Sequence, residues 1–173
     1  MDLGLLRIEL LVGALLGLIF VIDLFTSKKA ILKYLALAGS FGIMVYACFF
    51  REMGITFLGA YVSDGFSLFF KILFLLSTSL VIIFSFNFFQ KNKHYIGEYL
   101  VLLLSATLGM MLMVSSLDLL MFYVSLELLS LSSYVLSAIQ KSSQKSTEAG
   151  IKYLLLGAMA SGVLLFGISL IYG

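Results

Sequence analysis

Long apolar stretches alternate with short polar segments along the whole chain. Six of these stretches approach the roughly 20 residues that an α-helix needs to cross a bilayer. They are Leu3–Phe25, Ala30–Phe50, Asp64–Phe89, Glu98–Ser115, Asp118–Ile139 and Thr147–Tyr172. The fourth and fifth are separated only by Ser-Leu-Asp, so the corresponding helices are predicted to be antiparallel neighbours. The pattern predicts an all-α integral membrane protein with six transmembrane helices.

The charges of the connecting segments predict how these helices are oriented. The first, third and fifth connections are rich in lysine: Lys28, Lys29, Lys33, Lys91, Lys93, Lys141 and Lys145. The second connection carries mainly Arg51 with Glu52, and the fourth carries Asp118. Because cytoplasmic loops carry an excess of Lys and Arg, the lysine-rich connections are predicted to face the cytoplasm. Both termini are then predicted to lie on the outer side of the membrane.

Composition agrees with a lipid-facing surface and narrows the possible chemistry. The chain is 62% hydrophobic and 12% charged, whereas soluble domains are about half apolar and a quarter charged. A single cysteine, Cys48, excludes a disulfide framework and a Cys-ligated metal site within the chain. His94 stands alone in a basic segment, and a nucleotide-binding loop is absent. We therefore expect no metal and no nucleic-acid partner, and any redox cofactor is expected in another subunit.

Small residues spaced four apart predict close packing between helices. The pairs are Gly13 with Gly17 and Gly157 with Ser161. Proline is absent from the chain, so the usual cause of a sharp helix kink is missing from every span.

Three ionisable residues deep in the predicted spans call for an explanation: Lys71, Glu127 and Lys152. At a helix centre, each costs at least about 2.5 to 3.5 kcal/mol to insert, so a functional role is the default interpretation. Opposite charges that approach each other in lipid stabilise one another's charged forms, while desolvation favours the neutral forms. Such a balance suits a proton relay.

Glu127 is the deepest of the three, about ten residues from either end of its span. At helical spacing, Tyr123, Ser130 and Tyr134 lie on the same face and offer hydroxyl groups to the carboxylate. Glu127 is therefore the main candidate for proton transfer. The alternative is a protonated, hydrogen-bonded glutamate with a purely structural role.

The two lysines lie nearer the ends of their spans and allow a second interpretation. Lys152 could extend to the membrane surface while Glu148, one turn earlier, forms an i,i+4 ion pair with it. Lys71 could extend to the outer surface in the same way. It shares its helix face with Ser67, Thr78 and Ser85.

Three segments carry a resemblance to a known family. These are DGFSLFFKILFLL at Asp64–Leu76, the stretch EYLVLLLSATLGMMLMVSSLDLLMFYVSLELLSLSSYVLSA at Glu98–Ala138, and TEAGIKYLLLGAMASGVLLFGISLIYG at Thr147–Gly173. They closely resemble subunit N of bacterial NADH-quinone oxidoreductase, respiratory complex I, one of the antiporter-like subunits of its membrane arm.

The resemblance implies roles for the ionisable residues. Glu127 matches the glutamate of the fifth helix and Lys152 the lysine of the sixth, which in the family form a charged pair at the start of a hydrophilic axis. That pair is thought to respond to quinone reduction and to drive proton translocation. Lys71 also matches a family lysine. Together with the residue patterns described above, this makes five residues candidates for lining or supporting the proton path: Lys71, Tyr123, Ser130, Tyr134 and Glu148.

The resemblance also implies a setting for the chain. Partners would be the other membrane subunits of complex I and the lipid bilayer of the bacterial inner membrane. The other subunits would bind NADH, FMN, the iron–sulfur clusters and quinone. The chain would be a non-redox subunit, and no catalytic activity is expected of it in isolation.

Family members have about fourteen helices, including two inverted five-helix repeats that begin at the fourth. Residues 1–97 would then form three peripheral transmembrane helices, and residues 98–173 the first three helices of an incomplete first repeat. A fragment, a split gene or a truncated protein would each give this length, and the complete proton path is expected to extend beyond the chain.

Other functions in the same superfamily remain open at this point. A cation/proton antiporter subunit would share the glutamate and the lysine, and so would a membrane-bound hydrogenase subunit. A structural or assembly role is a further alternative. The neighbouring genes would distinguish these possibilities.

Overall fold

The computed structural model describes residues 3–26, 30–49, 52–86 and 95–172. Within these ranges, a short 3₁₀ turn at Leu3–Leu6 precedes six long helices. They are α1 (Arg7–Phe25), α2 (Ala30–Phe49), α3 (Gly65–Phe84), α4 (Ile96–Val114), α5 (Leu119–Ser137) and α6 (Gln144–Tyr172). All six are long and apolar enough to cross a membrane. The predicted fold class is confirmed, and the chain is a multi-pass membrane protein.

Several residues that entered the orientation and cofactor arguments lie outside the described ranges. They are Lys28, Lys29, Arg51, Lys91, Lys93 and His94. The end of the helix bundle that carries Lys33, Lys141 and Lys145 is called the lysine-rich end below.

Helix α4 lies at the centre of the arrangement and packs against α1, α2, α3 and α5. Its contacts with α5 confirm that the fourth and fifth spans are neighbours. Two apolar clusters hold the first four helices together, one around Ile19 and Leu100 and the other around Val12 and Met111. Helix α6 packs against α5 and leaves nearly all of its other residues exposed.

A β-hairpin, unpredicted from the sequence, occupies the connection between α2 and α3. Strand β1 (Gly54–Thr56) pairs antiparallel with β2 (Tyr61–Ser63). At the tip, Phe57, Leu58 and Gly59 all have positive φ angles, of 53°, 56° and 93°. Two of these residues carry a Cβ atom, for which this conformation is unfavourable. Contacts elsewhere must therefore hold the hairpin in place.

Backbone hydrogen bonds attach the hairpin to the connection between α4 and α5. The Val62 N–H donates to the Ser115 carbonyl at 2.8 Å, and the Leu117 N–H donates to the Ala60 carbonyl at 2.8 Å. The hairpin therefore covers one end of the bundle, called the hairpin end below.

Asp64 precedes α3 as its N-cap, so the third span begins one residue later than predicted. Its carboxylate accepts a 2.7 Å hydrogen bond from the Ser67 N–H, and the Ser67 hydroxyl accepts one of 2.9 Å from the Asp64 N–H. This reciprocal capping box fixes the first turn of the helix. The backbone hydrogen bond from Ser67 lowers the pKa of the Asp64 carboxyl group. Lys71 follows one turn after Ser67.

Only one of the two predicted small-residue pairs packs against a neighbouring helix. A Cβ atom on Gly157 would collide with the Tyr134 hydroxyl group of α5. A Cβ atom added to Gly13 or Gly17 would have no neighbour within 4 Å from another described helix, so the predicted close packing is wrong for the part of the chain that the structure describes. A close approach that was not predicted occurs at Gly109, where a Cβ atom would lie 2.8 Å from the Leu129 backbone nitrogen.

Cysteine labelling tests the predicted orientation. In a Cys48→Ser background, Leu58→Cys at the exposed hairpin tip should react with a membrane-impermeant maleimide added outside intact cells. Ser142→Cys, exposed at the lysine-rich end, should react only after the membrane is permeabilised. The reverse pattern would show that the orientation is inverted.

Candidate functional site

Glu127 lies near the middle of α5, eight residues after the first residue of the helix and ten before the last. This corresponds to a depth of about 12 to 15 Å from either end. The Tyr123 hydroxyl group, one turn earlier, interacts with the carboxylate. The second carboxylate oxygen, Oε1, is buried and has no hydrogen-bond partner among the described residues. Because an unpartnered buried acceptor is costly, Glu127 has the capacity for a further hydrogen-bond partner.

The other predicted hydroxyl groups of this face continue along α5 from Glu127. Ser130 is half-buried and Tyr134 is buried. The Tyr134 ring meets the Tyr153 ring of α6 edge to face, with 4.7 Å between centroids. The hydroxyl stripe predicted from helical spacing therefore leads from Glu127 to the contact with α6.

Lys152 lies on α6 and is paired with Glu148. Its Nζ atom donates to Glu148 Oε1 at 2.5 Å, and the two side chains are 69% and 59% exposed. This is the i,i+4 pair that the sequence allowed as one alternative. Exposed pairs of this kind contribute little stability in water, so the arrangement leaves Lys152 free to exchange its partner.

Contacts at both ends fix the antiparallel register of α5 and α6. Near the lysine-rich end, Gly150 packs against Ala138. At the hairpin end, the Tyr172 hydroxyl group donates to the Asp118 carboxylate. In this register, a residue of α5 and the residue of α6 that lies beside it have residue numbers whose sum is about 289.

The register keeps Glu127 and Lys152 apart. Lys152 is level with Ser137, ten residues along the axis from Glu127, which corresponds to about 15 Å. The direct charged pair expected from the family resemblance is therefore not formed in this arrangement. Ser130 and Tyr134 lie in the interval between the two charges.

A buried ion pair that sequence analysis did not predict joins α1 and α3. Lys71 Nζ lies 2.7 Å from Glu9 Oε1, and the two side chains are 0% and 3% exposed. The expectation that Lys71 could extend to the outer surface is therefore wrong. Because the Glu9 carboxylate pairs with the ammonium group inside the bundle, the Lys71 side chain does not have to reach water.

Tyr61, from strand β2 of the hairpin, completes this cluster. Its hydroxyl group donates to Glu9 Oε1 at 2.7 Å and accepts a 2.9 Å hydrogen bond from Lys71 Nζ. Burial raises the pKa of Tyr61 far above its usual range, and the negative charge of Glu9 raises it further. Tyr61 therefore keeps its proton and remains a hydrogen-bond donor to the carboxylate.

The three side chains form a closed triangle in which each polar group contacts the other two. The pair anchors the hairpin to the helices because Tyr61 belongs to the same strand that binds the α4–α5 connection. Neither Glu9 nor Tyr61 is among the candidate residues predicted from the sequence. Positions 9 and 71 lie far apart in the sequence, so no local sequence pattern predicts that these two residues form a pair.

The predicted polar face of α3 forms contacts along the whole helix. Beyond Lys71, the Thr78 hydroxyl group is 2.7 Å from that of Thr107, and the Ser85 hydroxyl group is 2.8 Å from that of Tyr99. The fully buried side chain of Leu75 separates Lys71 from this series. The face therefore fixes α3 against α4 and does not form an uninterrupted polar path.

Within the described ranges, no three His, Cys, Asp or Glu side chains lie close enough together to hold a metal ion.

The sequence is similar to known membrane subunits over most of its length. A family model described as NADH:quinone oxidoreductase/Mrp antiporter, TM, matches residues 116–173. NADH-quinone oxidoreductase subunit N of Moorella thermoacetica is 44% identical over 174 residues, covering 99% of this chain and 37% of that protein. The corresponding subunit of Desulfitobacterium hafniense is 49% identical over 142 residues, covering 82% of this chain and 29% of that protein. The chain thus spans about a third of the length of these relatives.

Solved structures show the same helical arrangement. A chain of respiratory complex I from Thermus thermophilus superposes with a TM-score of 0.76 at 26% identity, covering 96% of this chain and 36% of that one. A chain of the membrane-bound sulfane sulfur reductase, an archaeal respiratory membrane complex, gives a TM-score of 0.80 at 20% identity. The second likeness covers 99% of this chain and 37% of that one, and it concerns the fold alone.

Removing one member of the buried ion pair tests its structural role. Lys71→Met leaves the Glu9 carboxylate buried without its cation and should lower the free energy of unfolding by about 3 to 5 kcal/mol. Adding Glu9→Gln to Lys71→Met removes the stranded charge, so the double variant should lose less than the sum of the two single variants. Unfolding in mixed detergent micelles at increasing SDS measures these differences.

The exposed pair Arg7–Glu52, at 2.6 Å, serves as the matched control. Arg7→Gln should cost less than about 1 kcal/mol because solvent screens that pair. If Lys71→Met were no more destabilising than Arg7→Gln, or if Glu9→Gln and Lys71→Met were additive, the buried pair would not anchor the bundle.

Proposed function

Because the chain belongs to the antiporter-like membrane-subunit family of NADH-quinone oxidoreductase, we propose that it forms part of a proton-translocating membrane arm. In this proposal it is the N-terminal portion of subunit N, or a shorter version of that subunit. It binds no redox cofactor itself and moves protons when quinone is reduced elsewhere in the complex. Its partners are the other membrane subunits of that complex.

The observation that supports the proposal most directly is the state of Glu127. A carboxylate near the middle of a span cannot reach water, and one of its buried oxygen atoms lacks a partner among the residues that the structure describes. A group held in this way can change its charge when a neighbouring charge moves, because few fixed contacts favour one protonation state. The Glu9 carboxylate also has one buried oxygen atom without a partner among the described residues, but its other oxygen atom is paired with Lys71 at 2.7 Å, and the pair is assigned to stability.

Lys152 acts as the second ionisable group of the same path. The register separates it from Glu127 by about 15 Å, so proton transfer between them requires intermediate groups. The hydroxyl groups of Ser130 and Tyr134 lie in that interval and can both donate and accept protons. Glu148 holds Lys152 in its present position, and release from Glu148 is the event that would bring the ammonium group toward this path.

A cation/proton antiporter subunit is the second candidate function, since the matching family description includes antiporters as well as oxidoreductases. The relatives at 44% and 49% identity, which cover most of the chain, are both subunits of NADH-quinone oxidoreductases. That likeness favours the oxidoreductase.

The proposal predicts that Glu127 is required for proton translocation. In the assembled complex, Glu127→Gln should reduce NADH-driven proton pumping at least about tenfold, which corresponds to a barrier about 1.4 kcal/mol higher. Assembly should be preserved because the amide keeps the size and hydrogen-bonding capacity of the side chain. Glu127→Asp should retain part of the activity. Acidification by inverted vesicles measures pumping, and normal pumping by an assembled Glu127→Gln complex would make Glu127 a structural residue.

The hydroxyl path gives a further prediction at Tyr134. Tyr134→Phe removes the proton-carrying group but keeps the ring that packs against Tyr153. Pumping should slow while the yield of assembled complex stays constant. Tyr153→Phe is the matched control because it makes the same chemical change on the other side of the ring contact. Equal pumping by the parent and Tyr134→Phe would contradict a path through this hydroxyl group.

A further inference from the structure

An apolar groove runs along the surface between α2 and α3. Its volume is about 570 Å³, within the range typical of small-molecule sites. Its walls include Leu37, Phe41 and Met44 from α2 and Leu76 and Leu80 from α3. The groove therefore offers side-chain contacts suited to an apolar ligand.

The serine hydroxyl group that lines the groove is already satisfied. Ser79 contributes to the lining, but its hydroxyl group donates to the Leu75 carbonyl at 2.9 Å and lies 3.0 Å from the Ser40 hydroxyl group. A ligand therefore needs no hydrogen-bonding group inside the groove. A hydrocarbon chain fits this requirement better than a polar metabolite.

The groove ends beside a positive charge. Tyr34 lines the groove at the lysine-rich end, and the Nζ atom of Lys33 lies 5.0 Å from the centre of the Tyr34 ring. The same Nζ atom lies 4.8 Å from the centre of the Phe86 ring. These cation–π contacts hold the ammonium group in place. Among the described residues no carboxylate forms an ion pair with Lys33, so its N–H groups can bind an anion.

The length of the groove matches one leaflet of a bilayer. Tyr34 and Met44 lie ten residues apart on α2, which corresponds to about 15 Å. This is half of the roughly 30 Å hydrocarbon core. A chain that starts at Lys33 and follows the groove would therefore end near the bilayer midplane.

We propose that this groove binds an anionic phospholipid, with one acyl chain between α2 and α3 and the phosphate group on Lys33. The cation selects the headgroup because basic residues near a membrane surface attract anionic lipids. A zwitterionic headgroup carries its own ammonium group, which weakens that attraction. The proposal concerns a binding site and does not depend on proton transfer by Glu127.

Photo-crosslinking in vesicles tests the proposal with the full chain. Phosphatidylglycerol and phosphatidylethanolamine with the same diazirine-bearing acyl chain are compared in separate samples. Phosphatidylglycerol should label peptides containing Phe41, Met44 or Leu76 about fivefold more than phosphatidylethanolamine, as expected for one basic residue near the surface. Equal labelling by the two lipids would overturn the headgroup assignment. Absence of labelling at these residues would show that the groove does not hold a lipid chain.

Two matched pairs of variants locate the site. Lys33→Gln should abolish the preference for phosphatidylglycerol, whereas Lys145→Gln, at an exposed lysine of the same end, should retain it. Ala38→Trp fills the groove and should remove labelling there. Ala14→Trp, on the exposed face of α1, should leave it unchanged. If labelling persisted with Ala38→Trp, or if the preference survived Lys33→Gln, the lipid would belong to the general lipid shell around the protein.

Discussion

An ionisable side chain in the hydrocarbon core must find a partner within the protein, because no water is present to solvate it. This constraint accounts for the main features of the chain. Backbone polar groups meet it by forming helices across the membrane. Ionisable side chains meet this constraint in different ways. The differences distinguish residues that stabilise the fold from residues that are suited to proton transfer.

The Glu9–Lys71 pair shows the most complete solution. Both charges are buried, they lie 2.7 Å apart, and Tyr61 contacts both of them. Because Tyr61 belongs to the hairpin, the same interaction fixes α1, α3 and the connection between α4 and α5 at one end of the bundle. Glu127 represents a different case: like Glu9 it has one buried oxygen atom without a partner, but among the described residues it forms no ion pair. A buried carboxyl group that lacks a paired cation, on an otherwise well-anchored scaffold, is where a change of charge costs least.

The sequence was sufficient for the features that depend on local pattern. Continuous apolar runs predicted all six helices, and helical spacing predicted the polar face around Lys71 and the hydroxyl stripe around Glu127. Features that depend on distant contacts were not predicted. The hairpin arises from pairing with the α4–α5 connection, and the Glu9–Lys71 pair joins residues 62 positions apart. The separation of Glu127 from Lys152 follows from the α5–α6 register, which contacts such as Gly150 with Ala138 determine and which no residue type reveals in isolation.

Infrared difference spectroscopy tests the central claim most directly, because it observes the carboxyl group of Glu127 itself. In the assembled complex, reduction of quinone should produce a band in the C=O stretching region of protonated carboxylic acids. That band should disappear in Glu127→Gln and persist in Glu9→Gln, whose carboxylate is assigned to stability. A band that persisted in Glu127→Gln and disappeared in Glu9→Gln would contradict this account and transfer the proton-carrying role to the buried pair.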